Sequence, residues 1–259
     1  MLNMLRPKPN ITATSFKHPS LLPLSNLPVF YSIGFQAILG RHSANASLNK
    51  TTPLPQTTTT MTQATLQTAR LRLVPLTASE AHYTLTKALD QDPSVMKYIG
   101  FGRPLTDDET RQVHEWLVNS STSVPGLGTW VAYAGDDAIG WWILAPTPIE
   151  KEKPTENFSK ERSETGYRLL PQFWGKGYAK EGSKELLRHA FRDLGLTEVF
   201  GETMTVNAAS RAVMSKCGLT HVDTWFNEYP TPPPGIEEGE VRYRITKEEW
   251  EAQNPAPQS

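Results

Sequence analysis

Cysteine is nearly absent from this chain: Cys217 is the only one among 259 residues. A single thiol excludes an intramolecular disulfide framework and fits a reducing compartment, so a cytoplasmic location is expected. Long apolar runs are missing too. The longest candidate, residues 27–39, contains Pro28 and Gly34 and falls short of the ~18 apolar residues of a membrane span. Charge of one sign is not in excess, the formal net value being −1. That leaves no field to hold a nucleic acid or a membrane surface. The six histidines form no metal-ligand spacing, and no metal is expected.

Acidic residues are missing from the first 79 positions, where Arg6, Lys8, Lys17, Arg41 and Lys50 are scattered. Residues 1–60 are rich in Ser, Thr, Asn and Pro, too polar to offset chain entropy by burial, and are read as a disordered leader. Such a composition matches an organelle transit peptide and a mitochondrial location. Pro7, Pro9, Pro19, Pro23 and Pro28 interrupt most amphipathic helices there. The alternative is a dispensable or spurious extension upstream of Met61. Residues 61–259 are then the folded domain, long enough for one sizeable core.

What is present from Thr68 onward alternates between strand and helix patterns. Thr68-Ala-Arg-Leu-Arg-Leu-Val-Pro75 reads as a first strand. Thr77 and Glu80 stand at capping-box spacing before a helix over 81–89, and Thr106 opens another with Val113, Trp116 and Leu117 on its apolar face. Gly135-Asp-Asp-Ala138 separates two strand patterns as a hairpin turn. The charged segment 146–163 has no apolar period and reads as a surface loop. A strand over 165–170 then leads into Gln172-Phe-Trp-Gly-Lys-Gly-Tyr-Ala179.

The helix after that turn carries Ala179, Leu186, Leu187, Ala190, Phe191 and Leu194 on one stripe and stops at Gly195. A strand over 198–206, a short helix over 208–217 entered by Asn207, and strands over 219–226 and 241–245 complete the order. The class is mixed α/β (α+β). Trp141 and Trp142 are adjacent on one strand pattern and point to opposite faces, so at most one faces a site.

Two glycines one residue apart let the backbone turn tightly and aim several N–H groups at one point, where the next helix directs its positive dipole end. This is a phosphate cradle. A nucleotide P-loop is excluded, because Tyr178 follows Gly177 where a Lys-Ser/Thr pair is needed. A dinucleotide fingerprint wants a third glycine where Lys180 stands.

Gln172-x-x-Gly175-x-Gly177-x-Ala179 resembles the acyl-CoA pyrophosphate loop of the GNAT superfamily of N-acetyltransferases. Ala69-Arg-Leu-Arg-Leu73, Glu164-Thr-Gly-Tyr167, Asn207-Ala-Ala-Ser210, Lys216-Cys-Gly-Leu219 and Tyr243-Arg-Ile-Thr-Lys-Glu-Glu-Trp250 are similar to its RimJ/RimL branch. The resemblance spans 68–250. It implies a strongly twisted mixed sheet, flanked by helices, whose central strands 165–170 and 198–206 splay to admit acetyl-CoA. It implies transfer of the acetyl group to a primary amine by direct attack in a ternary complex. The acceptor is either a protein N-terminus or a small-molecule amine, met by a monomer or homodimer; a silent acyl-CoA-binding module is the alternative.

Carried over residue by residue, the resemblance gives Gln172, Trp174, Gly175, Lys176, Gly177, Tyr178 and Ala179 to the pyrophosphate, with Lys180 adding charge nearby. Leu169 and Leu170 supply backbone groups to the pantetheine arm and the thioester carbonyl, and Asn207 joins them besides capping its helix. Glu202 and Glu164 are the candidate bases. A strong base matters less for an α-amine (pKa ~8), which costs about 1 kcal/mol to deprotonate at pH 7, than for a lysine-like amine, at roughly 4–5 kcal/mol. Relatives place a tyrosine seven residues after the Asn to protonate the leaving thiolate. Met214 stands there, so Ser210 is the expected replacement.

Overall fold

The computed structural model describes residues 63–149, 158–227, 229 and 232–255. The expectations for residues 1–60 and for the boundary at Met61 lie outside these. Eight strands form one mixed sheet in the order β1-β2-β3-β4-β5-β6-β8-β7. They are β1 (Leu66–Gln67), β2 (Arg72–Pro75), β3 (Gly128–Ala134), β4 (Asp137–Pro148), β5 (Phe158–Leu169), β6 (Glu198–Met204), β7 (Thr220–Trp225) and β8 (Glu240–Thr246). Every neighbouring pair is antiparallel except β5–β6.

Helices cover both faces. α1 (Glu80–Asp90), α2 (Pro93–Met96) and α3 (Asp107–Ser123) pack on one; α4 (Tyr178–Arg188), α5 (Ala208–Lys216) and α6 (Lys247–Gln253) pack on the other. The two-residue strand period divides the side chains between two cores. Trp142 and Leu144 of β4 join Leu186 and Leu187 of α4 and Phe191 just beyond it. Trp141, Ile143 and Ala145 join Leu85 and Leu89 of α1 and Leu117 of α3. The adjacent tryptophans thus face opposite ways, as their sequence positions require.

Local chemistry explains the starts of the elements. Thr106 and Glu109 form a reciprocal capping box at α3, and Thr246 and Glu249 form another at α6, a helix that the sequence reading did not draw. At α1 the cap is Ser79 rather than Thr77. The Thr77 hydroxyl contacts Ser79 Oγ at 3.1 Å and His82 Nδ1 at 3.0 Å instead. Both described ends of the supposed loop 146–163 are strand: β4 runs on to Pro148, β5 begins at Phe158, and Pro146 pairs with Ser163. Pairing with β4 overrides the poor strand propensity of Lys160, Glu161 and Arg162. The helix after the glycine turn ends in a π turn, His189–Asp193, before Gly195.

Gly182 sets how closely α4 approaches the sheet. A Cβ there would lie 2.5 Å from Cε2 of Trp142, whose indole N–H donates to the Ala179 carbonyl at 3.4 Å. Glycine lets the helix settle directly on this fully buried ring.

A histidine pair ties α1 to α3. His82 Nδ1 accepts from the Thr77 N–H at 2.9 Å, and His114 Nδ1 lies 2.9 Å from Thr86 Oγ1. Burial is the leading cause that lowers both pKa values from the ordinary 6.5. Above that pH both states of the chain carry neutral rings. Below it the unfolded chain takes up protons that the folded one resists, so folding stability falls as pH drops. Thermal melts should therefore show a Tm that is level above about pH 6.5 and declines towards pH ~5, before most carboxylates titrate. A Tm unchanged over that interval would contradict this.

Candidate active site

β5 and β6 share only three registered pairs: Arg162 with Glu198, Ser163 with Val199, and Glu164 with Phe200. Beyond Glu164 the strands part. A cavity of about 820 Å³ passes through the opening, bordered by both strands, the glycine turn, α5 and the α1–α3 side.

Strand parity decides which backbone groups face the gap. The Thr165 carbonyl oxygen points to β6, 3.2 Å from where a Cβ on Gly201 would lie. The Arg168 carbonyl points to β4, 2.1 Å from the corresponding point on Gly140. Alternation then turns the backbones of Tyr167 and Leu169 towards the gap. Leu170 is a correction: its N–H donates to the Ile139 carbonyl at 3.0 Å, and its side chain packs on the α1–α3 core. The Leu169 carbonyl accepts the Trp174 indole N–H at 2.8 Å.

At the cavity mouth, a short 3-10 turn (Pro171–Phe173) is followed by Gly175 (φ +72°) and Gly177 (φ +82°), both left-handed. Gly177 is the N-cap of α4, and no side chain caps that end. The N–H groups of the loop and first turn therefore converge without a side-chain oxygen among them. Trp174 is a second correction, because its N–H donates to the Pro171 carbonyl at 3.1 Å. Its ring still borders the cavity, whereas Gln172 and Lys176 do not. Arg70 braces the turn, donating to the Lys176 carbonyl at 3.1 Å and pairing with Glu181 at 2.6 Å.

A basic groove of about 890 Å³ runs beside the turn, lined by Lys176, Lys180, Lys184, Arg188, Arg192 and Lys216 among others. Lys180 and Lys216 border both the groove and the cavity.

The cavity has chemically different halves. On the α4–α5 side, Asn207 caps α5 by accepting the Ser210 N–H at 3.2 Å and donates its amide to Thr203 Oγ1 at 3.0 Å. The Tyr167 ring packs on Trp142 with centroids 6.2 Å apart, and its hydroxyl faces the Ser210 side chain. Burial pushes the phenol up to about 12, with Ser210 partly opposing the shift. Met214 lies buried towards Gly201, its Sδ 3.0 Å from where a Cβ would sit. Cys217 also borders this half, and burial raises its thiol to about 11.

On the other side stand Glu164, Arg168 and Glu202, together with Trp141 and the Ser94–Ile99 stretch. Glu202 accepts from Arg242 Nε at 2.7 Å. Arg168 is ion-paired with the fully buried Asp90 of α1 and lies over the Trp141 ring at 5.0 Å. The two candidate bases thus share one face, while Ser210 and Asn207 share the other. Tyr167 and Arg168 were not among the expected site residues. The signal for them was the strand period, once the layers on each face are known.

Residues 70–220 match the family described as "Acetyltransferase (GNAT) domain". The chain is 62% identical over 188 residues to the Aspergillus fumigatus protein named FsC-acetyl coenzyme A-N(2)-transacetylase, covering 73% of this chain and 78% of that one. Its fold is similar to RimL, a ribosomal L7/L12 alpha-N-protein acetyltransferase solved with coenzyme A (TM-score 0.55, 18% identity, 69% and 95% coverage). It is equally similar to the Vibrio cholerae spermidine N-acetyltransferase solved with CoA and spermine (TM-score 0.55, 17% identity, 71% and 99% coverage). No helix among the described residues is long and apolar enough to cross a membrane.

Proposed function

Because this chain belongs to the GNAT acetyltransferase family and is an acetyl-CoA-dependent N-acetyltransferase, we propose that its acceptor is a small-molecule amine of the FsC type. The observation that carries the reading is the cavity through the strand gap, with a phosphate cradle at one mouth and carboxylates on the opposite face. The 62% identity to the FsC-acetyl coenzyme A-N(2)-transacetylase favours FsC, or an amine like it, over a protein N-terminus.

In this reading the pyrophosphate sits on the N–H groups of Gly175, Lys176, Gly177, Tyr178 and Ala179. The rest of the nucleotide extends towards Lys180, Lys216 and the basic groove. The pantetheine arm enters the gap beside Asn207 and hydrogen-bonds the backbones of Tyr167 and Leu169. Those groups also polarise the thioester carbonyl as charge develops on its oxygen.

The amine arrives from the Glu164–Glu202 face. Glu202, whose charge is matched by Arg242, orients it, and Glu164 receives its proton directly or through water. Attack on the thioester carbon forms the C–N bond and breaks the C–S bond. The departing thiolate takes a proton from Ser210, replenished by the Tyr167 hydroxyl behind it, which recovers its own proton from solvent once the thiol has left. One proton leaves nitrogen and one reaches sulfur, so the reaction balances without a metal.

Release of free thiol from acetyl-CoA, measured with FsC, a peptide bearing a free N-terminus, and spermidine, tests the acceptor. FsC is expected to be turned over with a kcat/KM at least about tenfold above the others, the margin of a site built to hydrogen-bond its substrate. A preference for the peptide would replace this reading with N-terminal protein acetylation.

A further inference from the structure

We propose that Arg168 reads the acceptor, its guanidinium donating a hydrogen bond to a carbonyl oxygen next to the reacting amine, while Asp90 and Trp141 hold it in place. The inference rests on the small-molecule acceptor reading above. It concerns the half of the cavity opposite the thioester, where no role has yet been assigned to a cation.

Three observations place Arg168 there. It follows Tyr167 on β5, so strand parity sends its side chain to the face shared by Glu164 and Glu202. Arg168 borders the cavity together with Trp141 and the Ser94–Ile99 stretch, its side chain only 13% exposed. It is held from two directions, by Nη1 donating to Asp90 Oδ1 and by the indole plane of Trp141 at 5.0 Å. A guanidinium has five N–H donors in a rigid fork, and the Asp90 bond uses one of them.

The chemistry selects the partner. Asp90 is fully buried and its backbone carbonyl accepts the Leu105 N–H at 2.9 Å, so the ion pair also anchors the α1–α3 wall to the sheet. With its charge met by that carboxylate, Arg168 offers directed donors rather than a net positive field. That suits a neutral carbonyl, an ester or amide, better than a free carboxylate. The carboxylate side of the site agrees: Glu202 is already matched by Arg242, and an amine beside a carbonyl needs little help to lose its proton. An alkyl polyamine would leave the Arg168 donors facing the cavity without a partner, a penalty that rejects it.

The test compares the full-length wild type with Arg168→Met and Arg168→Lys. The Lys variant keeps a cation for Asp90, and therefore the anchoring of the wall, but loses the fork. The acceptors are FsC and a pair differing only in a carboxamide, ornithinamide and putrescine. Both variants should raise the KM for ornithinamide about tenfold or more. The KM for acetyl-CoA should stay within about twofold of wild type, and the turnover of putrescine should not fall and should rise in Arg168→Met, which no longer leaves donors unpaired, with Tm recorded for each protein. An unchanged KM for ornithinamide in Arg168→Lys, or equal losses on ornithinamide and putrescine, overturns the proposal. Failure of the wild type to turn over FsC overturns the acceptor reading and this assignment with it. Turnover by the wild type with no effect of the substitutions overturns this assignment alone.

Discussion

Gly177→Val is expected to abolish donor binding while leaving the protein folded. Gly177 sits at φ +82°, and the nearest atom to a Cβ there would be Arg70 Nη2 at 3.5 Å. Space is therefore not the obstacle. A β-branched residue resists the left-handed region, so the loop relieves the strain by rotating its peptide. That swings N–H groups of the turn away from the anion they converge on. Losing two charge-assisted hydrogen bonds, at about 1.5 kcal/mol each, weakens CoA at least ~100-fold. Calorimetric titration of CoA measures the affinity, and a thermal melt within a few degrees of wild type separates this from unfolding. An affinity within about threefold of wild type would mean that the pyrophosphate lies elsewhere.

Tyr167→Phe carries the second large effect, this time on chemistry. The hydroxyl faces the Ser210 side chain, and burial holds the phenol protonated up to about 12. Removing it deprives the Ser210 hydroxyl of its proton source, and a positioned proton donor is worth on the order of 10²-fold or more. Single-turnover rates with saturating acetyl-CoA should fall by about that factor, with the KM for acetyl-CoA within about threefold of wild type. Ser210→Ala should do the same. The double variant should be no slower than the slower single one, because two members of one relay are not additive. Additive losses would assign the two hydroxyls separate tasks, and an unchanged rate in Tyr167→Phe would remove it from the reaction.

Much of this architecture follows from short-range rules that a sequence states directly. The Thr106–Glu109 capping box, the hairpin at Gly135 and the uncapped glycine turn before α4 all depend on residues a few positions apart. The readings that failed depended on partners far along the chain. The ends of segment 146–163 became strand because β4 and β5 pair there; the one local failure was Thr77, whose hydroxyl meets His82 while Ser79 caps the helix. The π turn at His189–Asp193 leaves the apolar stripe of α4 intact, so periodicity could not reveal the added residue.

The same distinction divides the active site. Gly175, Gly177, Glu164, Glu202, Ser210 and Asn207 were recognisable from family spacing, and all border one cavity. Leu170 was assigned to the gap and Tyr167 was not, because the choice depends on which edge of β5 meets β4. Arg168 stayed hidden for a related reason. Its partner Asp90 is 78 positions away, on a helix whose approach to the sheet no local pattern records.

The division of β5 between two chemistries has a consequence for how the sequence can change. From Glu164 to Leu169, successive residues alternate between the face of Glu202, proposed to receive the amine, and the face of Asn207 and Ser210, proposed to receive the thioester. Substitutions within this hexapeptide alter one chemistry at a time. An insertion or deletion of a single residue would instead exchange the two sets, presenting Tyr167 to the acceptor and Arg168 to the leaving sulfur. The length of this strand is therefore as tightly specified as any side chain on it.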